Sequence, residues 1–219
     1  MIDGYDVEVK LLAITGLERP LTEKEVGESP PEELIEYAGR LCWDTTDKIG
    51  TNPRRIQEWI GVGHESVIEH ASASFYIRAS RSFTHELVRH RLASYSQRSQ
   101  RYVRETKPRY ITPPEIREVS NETEHNRNKQ KGDDVFKRAM LNAWEHYQNL
   151  LGLGIKPEIA RYVLPNACET QIVMTMNFRE LRHFIKLRTG KRALPEMRAI
   201  AGEIRRIMKQ LAPRVFEDL

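Results

Sequence analysis

Residues 71–78 read ASASFYIR, and this stretch carries the clearest structural pattern in the 219-residue chain. Its apolar side chains alternate with polar ones, which predicts a β-strand with one buried face. Residues 170–177 (TQIVMTMN) repeat the alternation, and residues 6–11 (DVEVKL) repeat it over a shorter length. The sequence therefore predicts a sheet built from strands that lie far apart along the chain.

Helical patterns account for most of the remaining residues. Pro30 and Pro157 each stand in the first turn of a predicted helix, the former after Ser29 as the capping residue. The predicted helices span 30–42, 53–61, 82–89, 136–151, 157–165, 178–188 and 195–211. We expect one α+β domain over residues 1–219, with a central, mostly antiparallel sheet flanked by long helices.

Two stretches of the chain show neither the alternation of a β-strand nor the apolar spacing of a helix. Residues 92–102 (LASYSQRSQRY) are rich in Ser and Gln and predict an ordered polar loop, a kind of segment that often carries function. Residues 119–134 lack apolar anchors and predict an exposed, variable segment.

Composition excludes several classes of protein. The 35 Lys and Arg residues against 31 Asp and Glu residues give a net charge of +4. No apolar run reaches the roughly 18 residues of a membrane span, and the opening MIDGYDVEVK is unlike a signal peptide. Cys42 and Cys168 form neither a disulfide framework nor a CxxC metal knuckle. We expect a cytoplasmic protein with no membrane partner.

The basic residues concentrate in one window. Residues 89–104 hold five arginines and no acid, so the rest of the chain is slightly acidic. One dense arginine cluster suits a small anion better than a nucleic-acid duplex, because a guanidinium can bind phosphate through two parallel hydrogen bonds. The neutral donors and acceptors of this window suit a pyrimidine imide edge; they are Ser94, Ser96, Gln97, Ser99 and Gln100.

Other interpretations of the window stay open. A solvated basic turn or a salt-bridge patch between subunits would have the same composition. A module that binds RNA or DNA strands would use Tyr95 and Tyr102 as stacking platforms, which the acidic remainder of the chain disfavours. Arg89 and Arg91 lie about 200° apart on a helix, so they contact two ligands or stand where the helix ends.

Metal motifs are absent from the sequence. His64 and His70 are six residues apart and His85 and His90 are five apart, whereas a zinc-binding helix needs histidines four apart. The chain also has neither G-x-G-x-x-G nor a P-loop. No metal is expected, and a nucleotide must be held in another way.

Further candidates stand at predicted helix ends. Arg161 and Arg188 follow apolar helical residues, where an arginine often only caps the last carbonyls. Asn177, Arg179 and His183 stand where a strand leads into a helix, and a free helix N-terminus there can bind phosphate.

The arginine window resembles the signature of the flavin-dependent thymidylate synthases, R-H-R-x7-S, because Arg89-His90-Arg91 is followed after seven residues by Ser99. Residues 63–70 (GHESVIEH), 160–165 (ARYVLP) and 177–188 are similar to other blocks of this family, in the same order and spacing. The resemblance covers about residues 35–210, with 119–134 as its variable part.

This resemblance implies a reaction and an assembly. Members of the family convert dUMP to dTMP; 5,10-methylenetetrahydrofolate gives the carbon, and FAD reduced by NADPH gives the hydride. They are homotetramers whose sites combine residues of several subunits, which would let Arg89 and Arg91 contact different ligands. No nucleic acid is involved.

The resemblance also implies site residues by position. Those expected to hold FAD are His64, Ser66, Arg89, His90, Arg91, Gln97, Asn177, Phe178, Arg179 and His183. Those expected to hold dUMP are Glu86, Leu87, Val88, Arg89, Gln97, Arg98, Ser99, Gln100, Arg101, Arg161 and Arg188. Arg188 is expected to be catalytic, because a fixed positive charge against the uracil ring favours its ionised or polarised form and activates C5.

Ser99 is the second expected catalytic residue. A serine hydroxyl needs an adjacent base to attack, so we expect Ser99 to hydrogen-bond to the substrate rather than form a covalent bond. Neither cysteine falls in a matched block, which disfavours a cysteine nucleophile. The chain departs from the family pattern at Glu86, where many relatives have Gln, and at Leu194-Pro195, where a Gln-Trp pair is common.

Overall fold

The computed structural model describes residues 1–18, 29–121 and 130–219. Its strands are β1 (Glu8–Ile14), β2 (Ser72–Ser80), β3 (Ala93–Gln97), β4 (Ser120–Asn121), β5 (Gln130–Lys131) and β6 (Glu169–Asn177). Four of them form an antiparallel sheet in the order β1-β2-β6-β3, and β4 pairs with β5. The α+β class and the antiparallel sheet are therefore confirmed.

Helices occupy the seven segments that the sequence predicts, and two short helices at 114–118 and 213–216 were not predicted. The helices are α1 (Pro30–Leu41), α2 (Arg55–Gly61), α3 (Arg81–Leu87), α4 (Pro114–Glu118), α5 (Gly132–Gly152), α6 (Pro157–Ala160), α7 (Phe178–Arg188), α8 (Pro195–Leu211) and α9 (Pro213–Phe216). Short 3-10 helices cover Thr46–Lys48, Glu65–His70 and Arg161–Val163. None of the helices in the described ranges has the length and apolar content needed to cross a bilayer.

The chain divides into two compact units, and the division falls within the strands of the sheet. The first unit consists of Met1–Glu8, Ile77–Arg89 and Ser96–Ile172. The second consists of Val9–Tyr76, His90–Tyr95 and Val173–Leu219. That residues 1–219 act as one domain stays a prediction.

The core of the second unit lies where α7 and α8 pack together. Leu181 and Phe184 of α7 and Ile200 and Ile204 of α8 are completely buried. The backbone N–H of Phe178 donates to the carbonyl of Ala71 at 2.8 Å, so α7 begins in contact with the residue that precedes β2. The start of α7 is thereby fixed against the sheet.

Buried ion pairs join α1 to α9 within the second unit. Glu36 is completely buried and contacts Arg40 Nε at 2.7 Å and Arg214 Nη1 at 3.0 Å. Arg214 Nε also lies 2.9 Å from Glu32, whose pKa burial raises although Arg214 acts in the opposite direction. Because each buried charge has a partner, removing one member would leave another uncompensated.

In the first unit, α5 packs against α4, α6 and the 3-10 turn at Arg161–Val163. Tyr147 is the one fully buried residue among the 21 of this helix, all of them described. Its hydroxyl accepts a hydrogen bond from the backbone N–H of Glu105 at 3.2 Å. At the start of the helix a Cβ on Gly132 would lie 2.6 Å from the carbonyl oxygen of Ile116, so glycine is needed there.

The structure corrects two predictions in the central part of the chain. The predicted loop 92–102 contains the strand β3. A 3-10 helix covers Glu65–His70, a stretch outside the predicted helices. In the segment 119–134, β4, β5 and the first turn of α5 are formed, and residues 122–129 lie outside the described part of the chain; that this segment is exposed and variable stays a prediction.

Two corrections concern the beginning of the chain. The first strand spans Glu8–Ile14 rather than 6–11. Ser29 stands before α1 as predicted, but its hydroxyl donates to the carbonyl of Leu211 at 2.7 Å and does not cap the helix. The carbonyl of Leu211 is at the end of α8, so this contact links two helices of the second unit.

Candidate active site

The predicted site residues fall into two groups, one in each unit. The first unit holds Glu86, Leu87, Val88, Arg89, Gln97, Arg98, Ser99, Gln100, Arg101 and Arg161. The second holds His64, Ser66, His90, Arg91, Asn177, Phe178, Arg179, His183 and Arg188. Except for Arg188, all the residues expected to hold dUMP therefore lie in the first unit.

Several arginines of the first unit converge on two glutamates. Arg101 Nη2 lies 3.6 Å from a carboxylate oxygen of Glu158, and Arg161 Nε donates to the Glu158 backbone carbonyl at 3.3 Å. Arg98 forms an ion pair with Glu105. The structure thus brings together cations that the sequence separates by about 60 residues.

Arg81, the first residue of α3, belongs to this cluster and was missed by the sequence analysis. Burial lowers the pKa of its guanidinium, and the charge of Arg161 lowers it further. Its Nη1 is buried without a hydrogen-bond partner among the described residues. A buried guanidinium nitrogen that lacks an acceptor beside a second arginine marks a site where an anion would be stabilised.

Gln100 presents a second buried donor in the first unit. The residue is 5% exposed, and its Nε2 has no acceptor within residues 1–18, 29–121 and 130–219. The neighbouring Ser99 hydroxyl accepts the backbone N–H of Arg101 at 3.2 Å. An accepted bond leaves the Ser99 proton free to be donated and does not activate the oxygen as a nucleophile.

The remaining predicted residues of the first unit differ in what their side chains can reach. Gln97 Nε2 donates to the hydroxyls of Thr84 and Thr170 at 3.0 and 3.2 Å, so its amide joins α3 to β6. The side chain of Leu87 is completely buried, whereas Val88 and Arg89 are exposed. Leu87 as a whole has no exposed surface, so it offers a ligand no contact in this arrangement.

In the second unit, His90 connects Glu180 to Arg188. His90 Nδ1 lies 3.1 Å from Glu180 Oε1, and Arg188 Nε donates to His90 Nε2 at 2.9 Å. Burial lowers the pKa of His90, the hydrogen bond to Glu180 opposes this, and the charge of Arg188 lowers it again. The Tyr95 hydroxyl donates to the His90 carbonyl at 2.9 Å, which fixes the backbone there.

A cleft of about 670 Å³ lies at the start of α7. Asn177 caps this helix by accepting the backbone N–H of Glu180 at 2.9 Å, at the strand-to-helix junction that the sequence predicts. Arg179 is half exposed in the cleft and contacts Glu69 at 2.6 Å and Glu65 at 3.4 Å. His183 also lines the cleft, so three of the residues expected to hold FAD share it.

The other residues expected to hold FAD in the second unit lie elsewhere. His64 lines a different cleft of about 390 Å³, together with Trp43, Trp59 and Arg55. Phe178 is completely buried, and its backbone N–H already donates to the carbonyl of Ala71. Ser66 and Arg91 are exposed.

Two kinds of chemistry find no support in the described ranges. No group of three or more His, Cys, Asp or Glu side chains is placed to hold a metal ion there. Burial raises the pKa of the Cys168 thiol to about 11, so this thiol is protonated at neutral pH and is a poor nucleophile.

The scaffold is thus an α+β fold with an arginine cluster suited to an anionic ligand. It also has a cleft at the start of α7, whose lining combines Arg179, Arg182 and Lys186 with Glu65, Glu69 and Glu180. The model of the Thy1 family, described as thymidylate synthase complementing protein, matches residues 26–214. The chain therefore belongs to this family, and the resemblance to the flavin-dependent thymidylate synthases is confirmed.

Individual relatives agree with this membership. The flavin-dependent thymidylate synthase of Corynebacterium efficiens is 39% identical over all of this chain and 92% of its own length. The one from Geobacter sulfurreducens is 41% identical over 86% of this chain and 82% of its own length. The crystal structure of the UMP/dUMP methylase PolB from Streptomyces cacaoi, bound with 5-Br dUMP, is 27% identical with a TM-score of 0.77 and covers 97% of this chain and 93% of its own.

Proposed function

We propose that this protein methylates dUMP at C5 to give dTMP, and that the observation carrying this function is the pair of buried, unpartnered donors beside the arginine cluster. The balanced reaction consumes 5,10-methylenetetrahydrofolate and NADPH and a proton, and releases tetrahydrofolate and NADP⁺. The names of the relatives support the reaction, and the PolB complex with 5-Br dUMP supports the nucleotide as the substrate.

The phosphate of dUMP is assigned to the arginine cluster of the first unit. Arg81 Nη1 supplies a buried donor, Arg101 lies 3.6 Å from the Glu158 carboxylate, and Arg161 donates to the uncharged backbone carbonyl of the same residue. A dianionic phosphate would remove the repulsion that lowers the pKa of Arg81. Ser99 and Gln100 directly precede Arg101 and offer a hydroxyl and an amide N–H for the rest of the nucleotide.

Arg188 is assigned to the uracil ring. A fixed guanidinium charge beside the ring stabilises the ionised or polarised form of the uracil, in which C5 is nucleophilic enough to attack the methylene carbon. The bond from Arg188 Nε to His90 Nε2 restricts the rotation of the guanidinium. The side chain therefore loses less conformational entropy when the transition state forms. Ser99 is assigned a hydrogen-bonding role toward the substrate.

The diphosphate of FAD is assigned to the cleft at the start of α7. Its donors, the guanidinium of Arg179, the ammonium of Lys186 and the ring of His183, suit a diphosphate, and Arg179 would have to exchange its contacts with Glu65 and Glu69 for the phosphate oxygens. FAD, when bound, supplies the hydride that NADPH delivers to it. Asn177 lines the same cleft, whereas the other predicted FAD contacts lie outside it and stay predictions; they are His64, Ser66, Arg89, His90, Arg91, Gln97 and Phe178.

A cytoplasmic homotetramer with shared sites completes the proposal. Large apolar side chains are exposed on the isolated chain, among them Leu92 at 74%, Tyr102 at 80% and Tyr162 at 81%. Two of these lie in or beside the arginine window, so a partner subunit would cover apolar surface next to the proposed substrate residues. Light scattering on the purified protein should give four times the 25.6 kDa mass of the chain.

A reconstituted assay tests the activity. Purified protein with FAD, NADPH, 5,10-methylenetetrahydrofolate and dUMP should produce dTMP, measured by chromatography, and omission of any component should stop the reaction. Arg188→Ala should keep the visible flavin spectrum and lose dTMP formation. Protein that acquires no flavin spectrum with added FAD, or that binds all components and forms no dTMP, would refute the proposal.

A further inference from the structure

Three side chains of the second unit form a chain of contacts through a buried histidine. Glu180 Oε1 lies 3.1 Å from His90 Nδ1, and Arg188 Nε lies 2.9 Å from His90 Nε2. Glu180 is 8% exposed and His90 is 5% exposed, so water competes little for either contact. The orientation of Arg188 is therefore linked to a carboxylate that was not among the predicted site residues.

We propose that Glu180 is a positioning residue that orients Arg188 through His90. The inference rests on the proposed function, in which Arg188 contacts the uracil ring. Glu180 itself contacts no substrate in this arrangement; it selects the form of His90 that can accept a hydrogen bond from Arg188.

The donors fix the position of the His90 proton. A guanidinium Nε always carries hydrogen, so His90 Nε2 must accept and cannot be protonated while this bond exists. A neutral imidazole with an accepting Nε2 carries its proton on Nδ1, and an ionised carboxylate is the acceptor that this N–H requires. Each of the two bonds thus favours the other, as in other carboxylate–histidine pairs.

The sequence position of Glu180 makes this use of its side chain unexpected. Asn177 caps α7 and Glu180 follows three residues later, the spacing of a capping box, in which the glutamate reaches back to the backbone N–H of the cap residue. Here the Asn177 side chain does hold the backbone N–H of Glu180 at 2.9 Å, but Glu180 Oε1 faces His90 instead. Glu180 and Arg188 lie on the same 11-residue helix, and His90 contacts both side chains. His90 therefore restricts the position of each side chain relative to the other.

The other groups around His90 agree with a neutral ring. From α7 it faces Glu180, Arg188 and His183, whose ring centroid lies 5.9 Å away, and the Phe184 ring packs edge-on at 5.1 Å. From β3, the Tyr95 hydroxyl donates to the His90 carbonyl, and the charges of Glu180 and Arg188 also act on Tyr95. Burial lowers the pKa of His90, and a protonated ring would turn an N–H toward the N–H of Arg188. Activity should accordingly fall on the acid side as His90 gains a proton.

Two substitutions and one control test the inference. Glu180→Leu removes the acceptor for Nδ1–H, and Glu180→Gln keeps a carbonyl oxygen there. Glu203→Leu removes a glutamate from α8 of the same unit, where it pairs with Arg206. Each protein is assayed for kcat and for the KM of dUMP, and its His90 tautomer is read from ¹⁵N-histidine NMR at neutral pH.

We expect Glu180→Leu to lower kcat at least tenfold with a smaller change in KM, and to move the His90 proton off Nδ1. Glu180→Gln should restore the Nδ1–H form and most of the lost kcat, and Glu203→Leu should match the wild type in both readouts. A Glu180→Leu variant with wild-type kcat and an Nδ1–H tautomer overturns the inference.

The two proposals fail in distinguishable ways. If the wild type forms no dTMP, the proposed function fails, and the tautomer of His90 in the wild type and in Glu180→Gln decides the role of Glu180. If Glu180→Leu does not fold, the wild-type spectrum decides: Nδ1–H with an accepting Nε2 supports the inference, and Nε2–H or a charged ring at neutral pH overturns it.

Discussion

Replacing Arg81 with methionine should stabilise the protein and weaken dUMP binding at the same time. Arg81 stands at the start of α3 with Nη1 buried and without an acceptor in the described part of the chain. Burial and the charge of Arg161 both act against its charged form. The protein without substrate therefore keeps an unfavourable charge at the place where the proposed function needs a phosphate ligand.

The size of both effects follows from this arrangement. A buried donor without a partner costs about 1–3 kcal/mol, and methionine fills similar space without a charge. Arg81→Met should therefore raise the free energy of unfolding by about 1–2 kcal/mol, which in a chain of this length raises Tm by about 2–8 °C. A lost hydrogen bond to a charged group costs about 1.5–3 kcal/mol, so the Kd of dUMP should rise about tenfold to 150-fold.

Calorimetry measures both quantities on the same samples. Scanning calorimetry gives Tm, and titration calorimetry compares dUMP with deoxyuridine, whose binding should change little because it lacks the phosphate. Arg117→Met is the matched control: Arg117 belongs to the same unit and donates to the carbonyl of Gly4 at 3.2 Å on the exposed surface. It should shift stability by less than about 0.5 kcal/mol and leave dUMP binding intact.

One combination of results would refute the reasoning. If Arg81→Met lowers Tm and binds dUMP with undiminished affinity, Arg81 is a structural arginine and its buried nitrogen marks no anion site. Equal losses for dUMP and deoxyuridine would place Arg81 near the nucleoside rather than the phosphate.

Two further substitutions test packing and the cleft. Gly39→Ala should lower Tm, because the new Cβ would lie 2.4 Å from the ring of Trp59 and overpacking of about 1–3 kcal/mol exceeds the helix gain of about 1 kcal/mol; a higher Tm contradicts this. Glu69→Gln should tighten FAD binding about two- to fivefold in a fluorescence titration, because it removes a carboxylate that competes for Arg179 at 2.6 Å. Glu203→Gln should leave FAD affinity alone, and unchanged affinity in Glu69→Gln would contradict the assignment.

Local signals predicted the helices and buried strands well because burial and capping act within a few residues. The predicted bounds 178–188 and 195–211 coincide with α7 and α8, where Asn177 is the cap of one and Pro195 opens the other. The alternation in 71–78 marks β2 because its inward side chains, such as Phe75, are completely buried.

The strand β3 could not be predicted by the same signal. It stands at the end of the sheet order, and its residues alternate between half-buried and exposed without a fully buried position. Its sequence ASYSQ therefore has no apolar face, and only main-chain pairing defines it. Beyond its end, the backbone N–H of Arg98 still donates to the carbonyl of Gln171 at 2.8 Å.

The predicted site was incomplete for a related reason: what distinguishes Arg81 and Glu180 is their burial, and burial depends on contacts between distant parts of the chain. Arg81 lies outside the arginine window, and only its interaction with Arg161, 80 residues later, identifies it as part of the site. Glu180 matches the spacing of a helix cap, so sequence alone assigns it a local role that its contact with His90, 90 residues earlier, replaces. A charged residue whose sequence spacing suggests only a local role can still be buried by the fold beside another charge. Such residues are accordingly where substitutions should be made first.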